Sequence, residues 1–103
     1  MSDKLIVTVD AQIAELVPRF LANRAADVGK IRAALAGADF EAIGAAAHAM
    51  KGAGGGYGFA EISRLGAALE EGALQRDAAA ITALVARLET YLGRIEIKFD
   101  DGQ

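Results

Sequence analysis

The sequence predicts an all-α fold, an antiparallel bundle of four helices. Apolar residues recur at three- and four-residue spacing along most of the chain. The breaks between these amphipathic stretches are short, as in antiparallel bundles. A length of 103 residues, 53% of them hydrophobic, suits one domain with a single core. We therefore expect one domain over residues 1–103, with the main bundle at about 10–97.

The first predicted helix carries apolar residues at helical spacing from Ile13 to Leu35 and ends at Gly37, a plausible C-terminal cap. Pro18 lacks a backbone N–H, so it cannot lie in a helix interior without the loss of a hydrogen bond. We therefore expect a break or kink around 14–17, with the main helix beginning there.

The second predicted helix begins at Asp39, whose side chain can cap the first turn. Its apolar stripe runs from Phe40 through Met50 to Tyr57. The segment 52–58 is rich in glycine, and each interior glycine costs about 1 kcal/mol of helix stability relative to alanine. We expect the helix to weaken and turn within this segment.

Two further stripes predict the third and fourth helices. The third stripe consists of Ile62, Leu65, Leu69 and Ala73. The fourth helix begins at Asp77, and its stripe consists of Ile81, Leu84, Val85, Leu88, Leu92 and Ile95.

At the two ends of the chain, 5–9 and 95–99, apolar and polar residues alternate instead. Either a short strand pair joins the termini, or the second segment extends the fourth helix.

Composition excludes several classes of function. The net charge of -3 shows no basic excess, so we expect neither nucleic acid nor a membrane as partner. The chain has no cysteine, which leaves no disulfide framework and fits a cytoplasmic protein. Charged residues lie opposite the apolar stripes and leave no evident large apolar patch, so we expect a monomer.

His48 is the one histidine of the chain and the candidate for nucleophilic or proton chemistry. In a helix it would point about 130° away from the mean direction of the apolar stripe, so it would face outward or lie at the boundary of the core. Lys51 lies one turn further on the same side, where its ammonium can contact an anion on the ring. A surface histidine with no task is the plain alternative.

The predicted face around His48 is made of small residues, and a bulky partner could approach it closely. The candidate partner-binding residues are Ala45, Ala49, Gly52 and Gly55. No cluster of carboxylates surrounds the histidine, so we expect no metal site there.

An antiparallel arrangement of the second and third helices would place His48 beside Glu70, and Gly52 beside Gly66. Glu70 could accept a hydrogen bond from one ring nitrogen and leave the other as nucleophile. A solvated position for Glu70 fits the pattern equally well. The facing glycines would let the two backbones approach.

The run from His48 to Ala53, followed by Tyr57-Gly58-Phe59 and Leu69-Glu70, resembles the histidine phosphotransfer (HPt) domains of multistep two-component signalling. The resemblance covers essentially the whole chain, and one departure from the family is the glycine-rich run 54–56. It implies a bundle of the HPt type and a phosphorelay carrier. Such a carrier accepts a phosphoryl group from a receiver-domain aspartate or a histidine kinase system and transfers it to another receiver domain.

The resemblance also implies roles for individual residues. His48 would be the phospho-acceptor, Lys51 would stabilise the phosphate, and Gly52 would leave room for the receiver domain. The chain also looks like the phosphotransfer domain of chemotaxis histidine kinases, in which a glutamate matching Glu70 bonds the accepting ring. Response-regulator receiver domains, hybrid histidine kinases or both are the implied partners. No cofactor is expected on this chain, because Mg²⁺ would be held by the receiver domain.

Two other functional classes compete with the relay. Autonomous ATP-dependent kinase activity is not expected, because the glycine-rich run matches neither G-x-G-x-x-G nor a P-loop. A helical protein-interaction module that needs no phosphorylation is the alternative. It predicts that His48 can be replaced by alanine without loss of function.

Overall fold

The structure, a computed structural model, describes residues 4–100. Residues 1–3 and 101–103 of the predicted domain lie outside the described residues. The elements in chain order are β1 (Leu5–Asp10), a 3-10 helix (Ala11–Leu16), α1 (Val17–Ala36), α2 (Phe40–Gly56), α3 (Ala60–Leu74), α4 (Ala78–Arg94) and β2 (Ile95–Asp100). The predicted four-helix architecture is confirmed. In this part of the chain, no helix combines the length and the apolarity that a membrane crossing requires.

The start of α1 follows from its proline. Pro18 lies in the first turn, where a missing N–H costs no intrahelical hydrogen bond. The residues before Val17 form the separate 3-10 helix, so the predicted break in the first helix is confirmed. At the other end of α1, the N–H of Gly37 contacts the last carbonyl oxygens of the helix.

Aspartates cap the N-termini of α2 and α4, as predicted. The side chain of Asp39 accepts a hydrogen bond of 3.1 Å from the N–H of Ala42. Asp77 makes the equivalent bond, also 3.1 Å, with Ala80. Each cap satisfies a backbone donor of the first turn that has no partner within the helix.

The chain turns within 52–58, as predicted, but only at the end of this segment. The helix continues through the glycines to Gly56, and the chain turns only at Tyr57 and Gly58. Gly58 has φ of 84°, which a glycine adopts without strain. Gly54 explains why the helix persists, because a β-carbon there would lie 2.6 Å from the nitrogen of Ser63. Close packing on α3 therefore outweighs the poor helix propensity of the run.

The ends of the chain form a sheet of two parallel strands. Leu5 pairs with Ile95, and Val9 pairs with Phe99. The strand-pair alternative is thus confirmed, and the extension of the fourth helix is wrong. The helix stops at Arg94 because Ile95 adopts an extended backbone, with φ of -71° and ψ of 141°.

One hydrophobic core lies between the four helices. Each helix supplies at least one fully buried side chain; examples are Ile31, Ile43, Met50, Ile62, Leu69, Ile81 and Leu88. Stacked aromatic rings continue this core at the α2–α3 turn, where Phe20 lies 4.5 Å from Tyr57 and 5.1 Å from Phe59 between ring centroids. The core thereby fixes both helices that carry the candidate site.

Candidate functional site

His48 lies in the middle of α2 and points away from the core. Its side chain is 69% exposed. The neighbouring Ala47 and Met50 are fully buried on the opposite side of the helix. The predicted outward orientation of the histidine is confirmed.

Glu70 reaches the histidine from α3. Its Oε2 lies 2.8 Å from Nδ1 of His48. An ionised carboxylate can only accept a hydrogen bond, so this contact places the ring proton on Nδ1. The lone pair is then on Nε2, the nitrogen that makes no bond to Glu70. Of the two alternatives open for Glu70, the structure shows the contact with the ring.

Lys51 binds the same carboxylate. Its Nζ donates a hydrogen bond of 3.0 Å to Oε1 of Glu70, so Glu70 joins the histidine and the lysine through its two oxygens. Two hydrogen bonds lower the pKa of Glu70 below its ordinary value of 4.5. The bond from Lys51 has the larger effect, and the bond from His48 has the second largest. The carboxylate is therefore held in its charged form.

The close approach of α2 and α3 involves Gly66 but not Gly52, so the predicted pairing of these glycines is wrong. A β-carbon at position 66 would lie 2.7 Å from the nitrogen of Lys51 and 3.0 Å from the carbonyl oxygen of Ala47. At Gly52 a β-carbon would meet nothing within 4 Å. Ala47 and Lys51 lie one turn apart on the side facing α3, whereas position 52 lies about 100° further around the helix.

Ser63 also belongs to the site, although it is not among the residues predicted from the sequence. Its Oγ donates a hydrogen bond of 2.8 Å to the carbonyl oxygen of Lys51. This bond ties the main chain of α2 to α3 at the residue that carries the candidate lysine. A serine three residues before Gly66, on the same face of α3, was the available signal.

Comparison with protein families shows which family the chain belongs to. The family model of the Hpt domain matches residues 15–96, a range that includes all four helices. The chain belongs to the Hpt domain family. No curated protein and no solved structure matches it. The resemblance noted from His48 and its neighbours is thereby confirmed.

Membership in the Hpt family gives the general function. Hpt domains are phosphocarrier modules that take part in histidine phosphotransfer within phosphorelays. They interact with receiver domains and kinases.

The small residues predicted to contact a partner lie on one accessible surface of the Hpt domain. Ala45, Ala49, Gly52 and Gly55 are all exposed. Together with the exposed ring of His48, they form a surface without large side chains. A second protein can therefore bring its backbone close to the imidazole.

A hollow that the sequence pattern did not indicate lies beside Glu70. Its volume is about 350 Å³, and it is lined by Phe40, Glu41, Gly44, Glu70, Ala73, Leu74 and Arg76. Leu74 is 76% exposed at its edge. The guanidinium of Arg76 lies 4.9 Å from the centre of the Phe40 ring. The hollow is continuous with the histidine site, because Glu70 belongs to both.

The described part of the chain was also searched for groups of side chains that could bind a metal ion. Across residues 4–100, no three side chains of histidine, cysteine, aspartate or glutamate come together in a way that could hold a metal ion.

Proposed function

We propose that this Hpt domain carries a phosphoryl group on Nε2 of His48. The group comes from an aspartyl phosphate on a receiver domain, or from a histidine kinase system, and passes to another receiver domain. The contact of 2.8 Å between Nδ1 and Glu70 carries the proposal. It fixes the ring so that Nε2 presents its lone pair on an exposed surface.

The transfer balances as a simple displacement. Nε2 of His48 attacks the phosphorus, and a nitrogen–phosphorus bond forms while the bond between phosphorus and the aspartate oxygen breaks. The aspartate carboxylate of the partner leaves with the electron pair. The ring keeps its proton on Nδ1 and becomes positively charged, and the carboxylate of Glu70 stabilises that charge. The reverse displacement delivers the group to the next aspartate.

Lys51 stabilises the phosphoryl oxygens in this proposal. In the unphosphorylated protein its ammonium is bound to Glu70, and its side chain is 42% exposed. Because Lys51 lies three residues from His48 on the same helix, a change of side-chain rotamer brings its ammonium to a group on the ring. Phosphoryl transfer needs further charge neutralisation, and we assign this to Mg²⁺ on the receiver domain.

Partner docking uses the surface around the ring. The exposed small residues Ala45, Ala49, Gly52 and Gly55 admit the receiver domain up to Nε2. An exposed apolar side chain can be buried against apolar side chains of a partner. Leu74, the last residue of α3, lies at the edge of the hollow and extends the docking surface from α2 onto α3.

The proposal is tested by phosphate acceptance. The pure protein is incubated with Mg²⁺ and a set of receiver domains charged with acetyl phosphate, and its intact mass is measured before and after acid treatment. We expect an acid-labile gain of one phosphoryl group in the wild type and none in His48→Gln. Lys51→Ala should slow acceptance without abolishing it, and Lys30→Ala, which removes an exposed lysine of α1, should leave the rate unchanged.

Two outcomes would contradict the proposal. Phosphate that survives acid, or that appears in His48→Gln, would place the group elsewhere. If no receiver domain in a broad set delivers phosphate but some bind equally to wild type and His48→Ala, the protein is a phosphorylation-independent interaction module. Circular dichroism of each variant shows whether the helices are intact.

A further inference from the structure

The two strands leave an open sheet at one end of the bundle. Within residues 4–100, β1 and β2 pair only with each other. Parallel sheets are normally larger and covered on both faces, and a two-stranded sheet is marginally stable in water. The outer edge of β2 therefore offers backbone donors and acceptors to a further strand.

One face of this sheet is apolar on both strands. The register places Leu5, Val7 and Val9 beside Ile95, Ile97 and Phe99 on that face. The 3-10 helix packs on both strands. Its cover is unequal: Val9 is 2% exposed, whereas its partner Phe99 is 49% exposed. Apolar surface is thus left uncovered at Phe99 on β2 and, at the other end of the register, at Leu5 on β1, which is 43% exposed.

We propose that β2 pairs antiparallel with β2 of a second copy of this chain, which creates a four-stranded sheet across a two-fold axis. With the axis at Ile97, Glu96 of each copy lies opposite Lys98 of the other. On the apolar face, each Ile95 lies opposite a Phe99. The strand is therefore complementary to itself in charge and in hydrophobicity.

The alternatives lack this complementarity. A parallel, in-register pair of β2 strands would place each Glu96 beside another Glu96, and each Lys98 beside another Lys98. A shift of one residue in the antiparallel pair would move the apolar residues out of contact across the interface. The pairing centred on Ile97 satisfies both faces of the strand at once.

The shape of the molecule leaves room for two bundles. The 20 residues of α1 span about 30 Å and the six residues of β2 about 20 Å, and the longest extent of the molecule is 47 Å. The longest extent of the molecule thus exceeds the length of α1 by about 17 Å. In an antiparallel pair, the two bundles lie at opposite ends of the shared sheet, and His48 on α2 remains exposed in both copies.

The proposed dimer differs from the monomer expected from the charged helix faces, an expectation that rests on the helices and not on the strands. It does not depend on the proposed phosphotransfer. The mass of the protein in solution is measured by sedimentation equilibrium over a range of concentrations. We expect a concentration-dependent dimer of the wild type.

Charge reversal tests the register of the dimer. Glu96→Lys and Lys98→Glu each turn two attractive cross-strand pairs into repulsive ones, so each variant should dimerise about tenfold more weakly. The double variant restores opposite charges at the same positions and should regain wild-type affinity. An equal mixture of the two single variants should form heterodimers. Lys30→Glu, the same charge change on the exposed surface of α1, is the matched control.

Hydrogen exchange gives a second measurement that needs no substitution. Amides of 95–99 should exchange more slowly as the protein concentration rises through the dimerisation range. A wild-type protein that stays monomeric up to about 1 mM would overturn the proposal. A dimer that neither single charge reversal weakens, or that the double variant does not restore, would also overturn it, because another surface would then form the contact.

Discussion

Gly66 of α3 lies against the main chain of Lys51 on α2. A β-carbon at position 66 would lie 2.7 Å from the nitrogen of Lys51 and 3.0 Å from its α-carbon. Both atoms belong to the backbone, so neither can move unless α2 moves. The absence of a side chain at Gly66 therefore sets the separation of the two helices that bring His48 and Glu70 together.

Replacing this glycine should destabilise the protein. Gly66→Ala improves helix propensity, but it forces α2 and α3 apart, and overpacking of this kind costs about 1–3 kcal/mol of unfolding free energy. Urea denaturation measures the change. Gly52→Ala is the matched control, because its β-carbon meets nothing within 4 Å and should stabilise the protein by about 0.5–1 kcal/mol. Equal stabilisation by both substitutions would contradict the close contact at Gly66.

The stabilising substitution at Gly52 should nonetheless impair phosphotransfer. Position 52 is exposed one turn from His48, and its new methyl group would occupy space that the receiver domain uses. A small misplacement of the reacting groups lowers the rate steeply, so we expect transfer to slow about tenfold or more.

Gly29→Ala provides the control for this loss. Gly29 is also exposed within a helix, α1, and a β-carbon there would meet nothing within 4 Å, so alanine should stabilise the protein similarly. Rapid-quench measurement of phosphate acceptance should show a wild-type rate for Gly29→Ala. Equal rates for the two variants would mean that the receiver domain does not approach over Gly52.

Local signals in the sequence were sufficient for most helix boundaries. Pro18, Asp39 and Asp77 act on their own backbone neighbours, so their effects can be read without knowledge of the fold. The persistence of α2 to Gly56 could not be read in this way. It depends on the packing of Gly54 against α3, a contact that only the folded chain makes.

The site was predictable to within one residue of register. The pairing of His48 with Glu70 tolerates a small error, because both side chains are long and one turn of a helix spans several positions. The contact of Gly66 does not tolerate it, since a shift of one residue moves a position about 100° around the helix. The ion pair between Lys51 and Glu70 depends on side-chain rotamers that the sequence pattern does not specify.

The stability of the protein should depend on the charge of Glu70. Bonds from Lys51 and His48 lower the pKa of this carboxyl in the folded protein below its ordinary value of 4.5. A lowered folded pKa stabilises the fold at every pH above the unfolded value, and the stabilisation is lost as the pH falls through the folded value. Glu70→Gln removes the charge, so the variant should be less stable than the wild type at pH 7.

This difference in unfolding free energy should shrink as the pH falls below about 4.5. Urea denaturation at pH 7 and at steps down to about pH 3 measures it. Glu15→Gln, which removes an exposed carboxylate of the 3-10 helix, is the control and should show a smaller change with pH. A difference that stays constant, or grows in acid, would show that Glu70 is not held in its charged form by its two partners.

Leu74 should affect the affinity for the receiver domain without changing the chemistry. It is 76% exposed beside the hollow that shares Glu70 with the histidine site, and it touches none of the reacting atoms in the proposed transfer. Truncating an apolar side chain that becomes buried at an interface costs about 1–2 kcal/mol, which corresponds to roughly fivefold to thirtyfold in affinity. We therefore expect Leu74→Ala to raise the receiver concentration at half-maximal rate by this factor and to leave the maximal rate unchanged.

Leu16→Ala, at a 49% exposed leucine of the 3-10 helix, is the matched control and should change neither value. A fall in the maximal rate of Leu74→Ala would instead show that Leu74 positions Glu70, and equal values for both variants would place the docking surface away from the hollow.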